Sequence, residues 1–232
     1  MKYLNRYTFF ARYIPGLISI FPLTVIYFFI TKKYSDFKLN EYFESVTFLL
    51  GISATFVLTF FVSMIIREFG SFLEKKYFNN RLGFPTNYLM LYQNDKLPYQ
   101  SKERYGDKIN KDFGLRRLNE SQERNNVDEA IKILSQASRM VSTKYQQNEQ
   151  VKDANIAYGF SRNVSGGLLL SIPSSIAGII VGFILKENSL VLWSSVAAII
   201  FIFLAFFHKQ WIIGNSEKYA EKIIAIYLSD NI

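Results

Sequence analysis

The chain alternates between long uncharged apolar blocks and segments dense in charge. A helix that crosses the hydrocarbon core of a bilayer needs about 20 mostly apolar residues. Four blocks meet that length: 13–31, 46–66, 164–185 and 190–207. None contains Asp, Glu, Lys, Arg or His. The pattern predicts an all-α membrane protein, with four transmembrane helices in two hairpins and a helical cytoplasmic insertion between spans two and three. The first block is too long for a signal peptide. It is followed by Thr31-Lys32-Lys33-Tyr34 rather than a small-residue cleavage site, so it is read as a retained span.

The charged segments set the orientation. The N-terminal tail carries Lys2, Arg6 and Arg12 and no acid, and the 67–163 segment carries 17 basic and 12 acidic residues. The 32–45 loop, the 186–189 loop and the C-terminal tail are balanced. Basic residues flanking spans stay in the cytoplasm. The expected topology is therefore a multi-pass membrane protein with both termini and the central segment in the cytoplasm. Its divisions are 1–66 for the tail and first hairpin, 67–163 for the cytoplasmic helical domain, 164–207 for the second hairpin and 208–232 for a cytoplasmic amphipathic tail helix.

Inside the insertion, 67–80 continues the second span as a helix, and the Asn79–Gly83 run stops it. Ser101 is the expected N-cap of a helix to about Phe113 that Gly114 ends. Residues 119–126 are polar and read as a loop. From Val127, the residues Val127, Ile131, Leu134, Ala137, Met140, Val141 and Tyr145 follow a helical period. A further segment, 151–163, leads into the third span. The 216–228 tail places Tyr219, Ile223, Ile224 and Tyr227 on one face, as a short amphipathic helix does.

Composition changes the picture mainly by exclusion. The chain has 232 residues, no Cys and one His, His208. Thiolate chemistry, a disulfide framework and a multi-His metal site are therefore outside its means. Gly-rich phosphate loops and nucleophile elbows are absent, the spans hold no Asp, Glu, Lys, Arg or His, and neither an enzyme nor a cofactor is expected. The net charge of +8 resides on the tail (+3) and the central segment (+5).

Small or hydroxyl residues recur every fourth position in the second span: Thr47, Gly51, Thr55, Thr59 and Ser63. Such a stripe lines a pore or packs a helix closely, and small-xxx-small seams are common in membranes. The third span has a comparable series, Gly167-Ser171-Ser175 and Ser174-Gly178-Gly182, in which packing is the stronger reading, and Pro173 predicts a kink. Basic residues of the insertion, among them Arg104, Arg116, Arg117, Arg139 and Arg162, suit anionic headgroups or a phosphate-rich ligand. Tyr158 and Phe160 suit an aromatic belt at the membrane interface, or a collar coupling the insertion to the spans.

The residues Gly83-Phe84-Pro85-Thr86, Leu91, Asp95, Leu97, Lys102, Arg104-Tyr105 and Tyr158-Gly159-Phe160-Ser161-Arg162-Asn163 carry a resemblance. In this order they resemble a family of small bacterial membrane proteins similar to the membrane effectors of the Hailong antiphage defence system. The resemblance covers 80–166 and the span layout around it. The chain departs from the pattern at Asn87, where Thr is frequent, and at Ala154, where a carboxamide or acid is frequent. The resemblance implies a homo-oligomeric ion channel in the lipid bilayer, paired with a nucleotidyltransferase whose oligonucleotide product controls opening. The expected pore-lining residues are the second-span stripe. Arg104, Arg116, Arg117, Tyr158, Phe160, Arg162 and Asn163 are the ligand or gating candidates. A non-conducting membrane scaffold and a small-solute transporter are the competing readings.

Overall fold

The structure is a computed structural model that describes residues 6–34, 41–79 and 83–230; of Tyr34 and 41–54 only the backbone is described. Every regular element in these ranges is helical. The helices are α1 (Arg6–Thr8), α2 (Ile14–Tyr34), α3 (Glu41–Asn79), α4 (Pro85–Tyr88), α5 (Tyr99–Phe113), α6 (Glu120–Asn125), α7 (Val127–Tyr145), α8 (Glu149–Leu185) and α9 (Asn188–Ser229), with a π-helical turn, Phe9–Tyr13, joining α1 to α2. Four stretches are long and apolar enough to cross a membrane: Arg6–Lys33, Thr55–Asn79, Glu149–Leu185 and Asn188–Ser229. Residues at the tail start, at 35–40 in the first loop and at 80–82 in the expected helix stop lie outside the described residues.

The chain forms two compact units, one of Met1–Leu73 with Gly159–Trp211 and the other of Glu74–Tyr158 with Ile212–Ile232. Each division falls inside a continuous helix, α3, α8 or α9. The tail is therefore not a helix of its own. No Pro, and no Gly with a helix-breaking conformation, interrupts the chain after the fourth span, and α9 runs 42 residues to Ser229.

In the first unit α8 contacts the other three spans through its small residues. An added Cβ at Gly166 would sit 2.5 Å from the Gly70 nitrogen and 3.0 Å from its Cα, and one at Gly70 would sit 2.6 Å from the Arg162 carbonyl oxygen. A Cβ at Gly167 would sit 3.0 Å from Ser19 Cβ on α2, and one at Gly178 3.0 Å from Ser194 Cβ on α9. Close backbone approach of this kind is how helices associate where lipid and side chain are equally apolar. The outward faces are aromatic and aliphatic: Phe56, Phe61, Phe183, Ile184 and Phe206 are each more than half exposed. Span hydroxyls bond to their own backbone, as Ser19 to Pro15, Thr59 to Thr55, Ser171 to Gly167 and Ser175 to Ser171 do. The helix passes through Pro173 without a break.

The second unit has a conventional core. Tyr105 and Ile109 of α5, Leu134, Ala137 and Val141 of α7, and Ile223, Ile224 and Tyr227 of α9 are buried together with Leu89, Met90 and Leu91. Gly114 ends α5 with φ +68°, the left-handed conformation that Gly adopts without strain. The start of α5 is Pro98 rather than Ser101: Pro98 is extended and its carbonyl accepts from the Ser101 and Lys102 amides. The expected loop at 119–126 is instead α6. Asn119 caps it through a reciprocal box, its Oδ1 accepting from the Gln122 amide at 2.9 Å while Gln122 Oε1 accepts from the Asn119 amide at 3.1 Å. On α7, Leu134, Ala137, Val141 and Tyr145 of the expected stripe are buried, Ala130 joins them, and Met140 is exposed.

Candidate functional site

A cavity of about 690 Å³ lies in the second unit. Helix α7 makes one wall. Its apolar face, Ala130, Leu134, Ala137, Val141 and Tyr145, is turned into the core. The spacing of Ser135, Ser138 and Ser142 puts a second, hydroxyl-bearing face on the cavity, beside Arg139 and Thr143. The short helix α4 supplies the facing wall. Pro85 at its first position is pre-set for helical φ and lacks the amide that would be unbonded there. That turn delivers Thr86 and Asn87 to the cavity.

Asn87 is buried and ties the walls together. Its Nδ2 donates to Ser135 Oγ at 2.7 Å, and its Oδ1 accepts from Ser138 Oγ at 3.1 Å. Ser138 also reaches the Thr86 carbonyl at 3.3 Å. The ends of two long helices close the site: Tyr158 from α8 and Tyr219 from α9 stack with centroids 6.1 Å apart and planes 15° from parallel. Glu74, at the far end of α3, is buried in the lining. Arg139 is exposed and has no ion-pair or hydrogen-bond partner for its guanidinium among the described residues.

A smaller cavity of about 270 Å³ lies beside α5 and is lined by Tyr92, Tyr99, Glu103, Arg116 and Arg117. Arg117 is a building element of it. Its side chain is 6% exposed. It donates to the Lys102 carbonyl at 2.6 Å and to the Met90 carbonyl, pairs with buried Glu123 at 3.5 Å, and lies 3.7 Å over the Tyr92 ring. Glu123 also accepts from the Tyr92 amide. Burial pushes the Tyr92 phenol above its ordinary range, and the bond to Glu103 adds to the shift. Burial, and then the neighbouring Arg117 charge, pull the Lys102 ammonium below its ordinary value. That ammonium donates to the Asn94 carbonyl.

The residues singled out in the sequence separate into several settings. Tyr158 lines the large cavity and Arg116 the small one, while Arg104 is exposed on α5. Phe160 meets Trp211 edge-on, with centroids 5.8 Å apart. Asn163 is fully buried and its Nδ2 donates to the Ala11 carbonyl. Arg162 Nε donates to Asn163 Oδ1 at 3.4 Å, and the Arg162 backbone packs against Gly70. Phe160, Arg162 and Asn163 thus belong to helix packing in the first unit. In the second-span stripe, Thr59 and Ser63 are buried against Gly16 of α2, a packed seam and not an open face. Thr55 is half-buried, and the surroundings of Thr47 and Gly51 lie outside what is described.

Sequence reasoning counted Arg139 among the basic residues but did not set it apart, and it missed Asn87, Ser135, Ser138 and Ser142 as a group. The available signal was the Ser spacing on the polar side of α7, opposite its apolar stripe. Among the described residues no cluster of three His, Cys, Asp or Glu side chains could hold a metal ion. Comparison of the chain with protein-family models, curated proteins and solved structures gave no match.

Proposed function

We propose that this protein is a homo-oligomeric ion channel of the bacterial inner membrane that serves as an antiphage effector. Its four spans form two hairpins, with termini, tail and the insertion between spans two and three in the cytoplasm. A nucleic-acid or nucleotide signal from a partner nucleotidyltransferase gates it through the insertion.

One observation carries the gating part of the reading. Helices α3, α8 and α9 each contain a membrane-length apolar stretch and, on the same unbroken helix, a residue of the large cavity: Glu74, Tyr158 and Tyr219 respectively. A ligand in that cavity touches the same continuous helices that carry the membrane-length stretches, and a contiguous chain of contacts is what couples a binding site to a distant one. The apolar outer faces of the spans support lipid or subunit neighbours. The resemblance described above supports the class of signal.

The test is conductance of purified full-length protein in planar bilayers, with and without short oligonucleotides. An ion current that an oligonucleotide raises or suppresses is the expected outcome. A protein that passes no current in either condition is a scaffold, and the channel reading then fails.

A further inference from the structure

We propose that Arg12, held by the π-helical turn that carries it, binds the phosphate of an anionic phospholipid. The turn is fixed from outside. The Ile14 amide donates to the Phe9 carbonyl, five residues back, and this wider turn holds one residue more than an α-turn. Carbonyls inside it take donors from other helices. Ala11 accepts from Asn163 Nδ2 of α8, and Arg12 from Ser63 Oγ of α3 at 3.2 Å. Gly159 of α8 packs on the same turn: an added Cβ would stand 3.0 Å from Ala11 Cβ and 3.0 Å from the Tyr7 hydroxyl. Two neighbouring helices thus set where the Arg12 side chain leaves the backbone.

That side chain has no anion. It is half-buried, with Cζ 5.6 Å from the centre of the Tyr7 ring. Its Nε is sealed from solvent and meets no acceptor, and among the described residues nothing bonds to or pairs with its terminal nitrogens. The chain has no Asp or Glu before Asp36. Of the acids in the first unit whose side chains are described, Glu68 pairs with Arg67 at 3.4 Å, and Glu187 follows α8 at the end opposite Asn163. A guanidinium partly withdrawn from water, with no partner in the chain, calls for an acceptor from outside it. Its two terminal NH2 groups suit two phosphate oxygens.

The setting selects a lipid. Arg12 lies within the membrane-length stretch Arg6–Lys33, just ahead of the uncharged block 13–31. Phe9 and Phe10, packed edge to face, precede it in the turn and are 41% and 47% exposed, an apolar flank suited to acyl chains. Charge selects the headgroup. The contacts of Gly70 with Arg162 and of Phe160 with Trp211 bring Arg67, Arg162 and Lys209 to this same end of the first unit, where Glu68 is the one acid among the described residues. A zwitterionic headgroup would add a further cation there, and an anionic one adds none. The site requires a bilayer and not a current, so it stands or falls apart from the channel proposed above.

Native mass spectrometry of the full-length protein, titrated in detergent, tests the site. The probes are dioleoylphosphatidylglycerol, dioleoylphosphatidylcholine and the soluble headgroup analogue glycerophosphoglycerol. Wild type should retain the anionic lipid about tenfold more tightly than the zwitterionic one, and the analogue far more weakly than either. Arg12→Gln should lose that preference, and Arg12→Lys should keep part of it. Arg67→Gln removes an equal charge at the same end from a residue already paired with Glu68, and should keep most of the preference. No protein partner is lost in Arg12→Gln, so its thermal midpoint without lipid should match wild type, while phosphatidylglycerol raises the wild-type midpoint more. Equal binding of the two lipids overturns the site, as does wild-type affinity in Arg12→Gln. Equal losses in Arg12→Gln and Arg67→Gln leave a diffuse attraction and no site. Tight binding of the soluble analogue makes it a site for free anions instead. A changed oligomer mass in lipid-free Arg12→Gln gives the guanidinium to a second copy of the chain, and the lipid site falls.

Discussion

Substituting Gly166 by Ala probes the tightest backbone crossing in the first unit. The new Cβ would stand 2.5 Å from the Gly70 nitrogen, about 0.9 Å short of the 3.4 Å at which ordinary contact begins. The Ile66 carbonyl oxygen is nearer still. Both obstacles are helix backbone, so no side chain can swing aside, and α3 and α8 must separate along their seam. Overpacking of a close-packed site costs about 1–3 kcal/mol, and backbone-on-backbone contact belongs at the upper end. Ala gains about 1 kcal/mol over Gly in a helix interior, which offsets part of it. The net is a destabilisation of about 2 kcal/mol, or about 4–8 °C in thermal midpoint at this chain length. The assay is thermal unfolding of the purified full-length protein in one detergent, followed by circular dichroism. Gly214→Ala is the internal control. Gly214 lies within α9, and beyond its chain neighbours and the adjacent backbone of α9 nothing comes within 4 Å of an added Cβ, so its replacement should raise the midpoint by about 2–4 °C. A Gly166→Ala midpoint equal to or above wild type would refute the claim that this crossing is closed by the absence of side chains.

Arg117→Ala should destabilise the protein by about 3–5 kcal/mol, because Glu123 is left as an unpaired buried charge. Arg116→Ala should stay within about 0.5 kcal/mol, and equal midpoints for the two variants would contradict the structural role given to Arg117. Gly114→Ala places a Cβ in the left-handed region and should cost about 1–2 kcal/mol, read as a lower denaturation midpoint at unchanged slope. The Tyr145 hydroxyl, donating to Asp230, and then Lys144 hold the Asp230 carboxyl below the usual carboxylate range. Its contribution is therefore present above the unfolded value near 3.9 and is lost as pH falls through the lowered folded value. Wild type should lose stability relative to Asp230→Asn below about pH 4 at low salt, and parallel pH profiles would remove the interaction.

Local and periodic features were legible in the chain. Four apolar blocks sufficed for the four membrane-length helices, Gly114 for the end of α5, and the Val127–Tyr145 period for α7. The misreadings have physical sources. Residues 119–126 are polar, but polarity does not separate a loop from a capped helix, and the Asn119-to-Gln122 box was the deciding detail. Arg117 looked like any exposed cation, because its burial depends on carbonyls of Met90 and Lys102 that only the fold brings to it. The 208–232 tail carried its own amphipathic signature, and nothing local distinguished a separate helix from the last turns of α9. Arg139 stood within a strong apolar period that drew attention to the opposite face of the same helix.

The span hydroxyls that donate to carbonyls one turn earlier have a consequence for permeation. A hydroxyl whose hydrogen is committed in this way turns only its lone pairs outward. Thr59 and Ser63 are both in that state, donating to Thr55 and Thr59 carbonyls at 2.7 and 2.6 Å. Should opening of the proposed channel bring that seam to water, it would present oxygen acceptors without matching donors. Such a wall solvates cations and offers anions nothing, so the same bonds that spare the helices an unmet donor would also set the sign of the ion that passes.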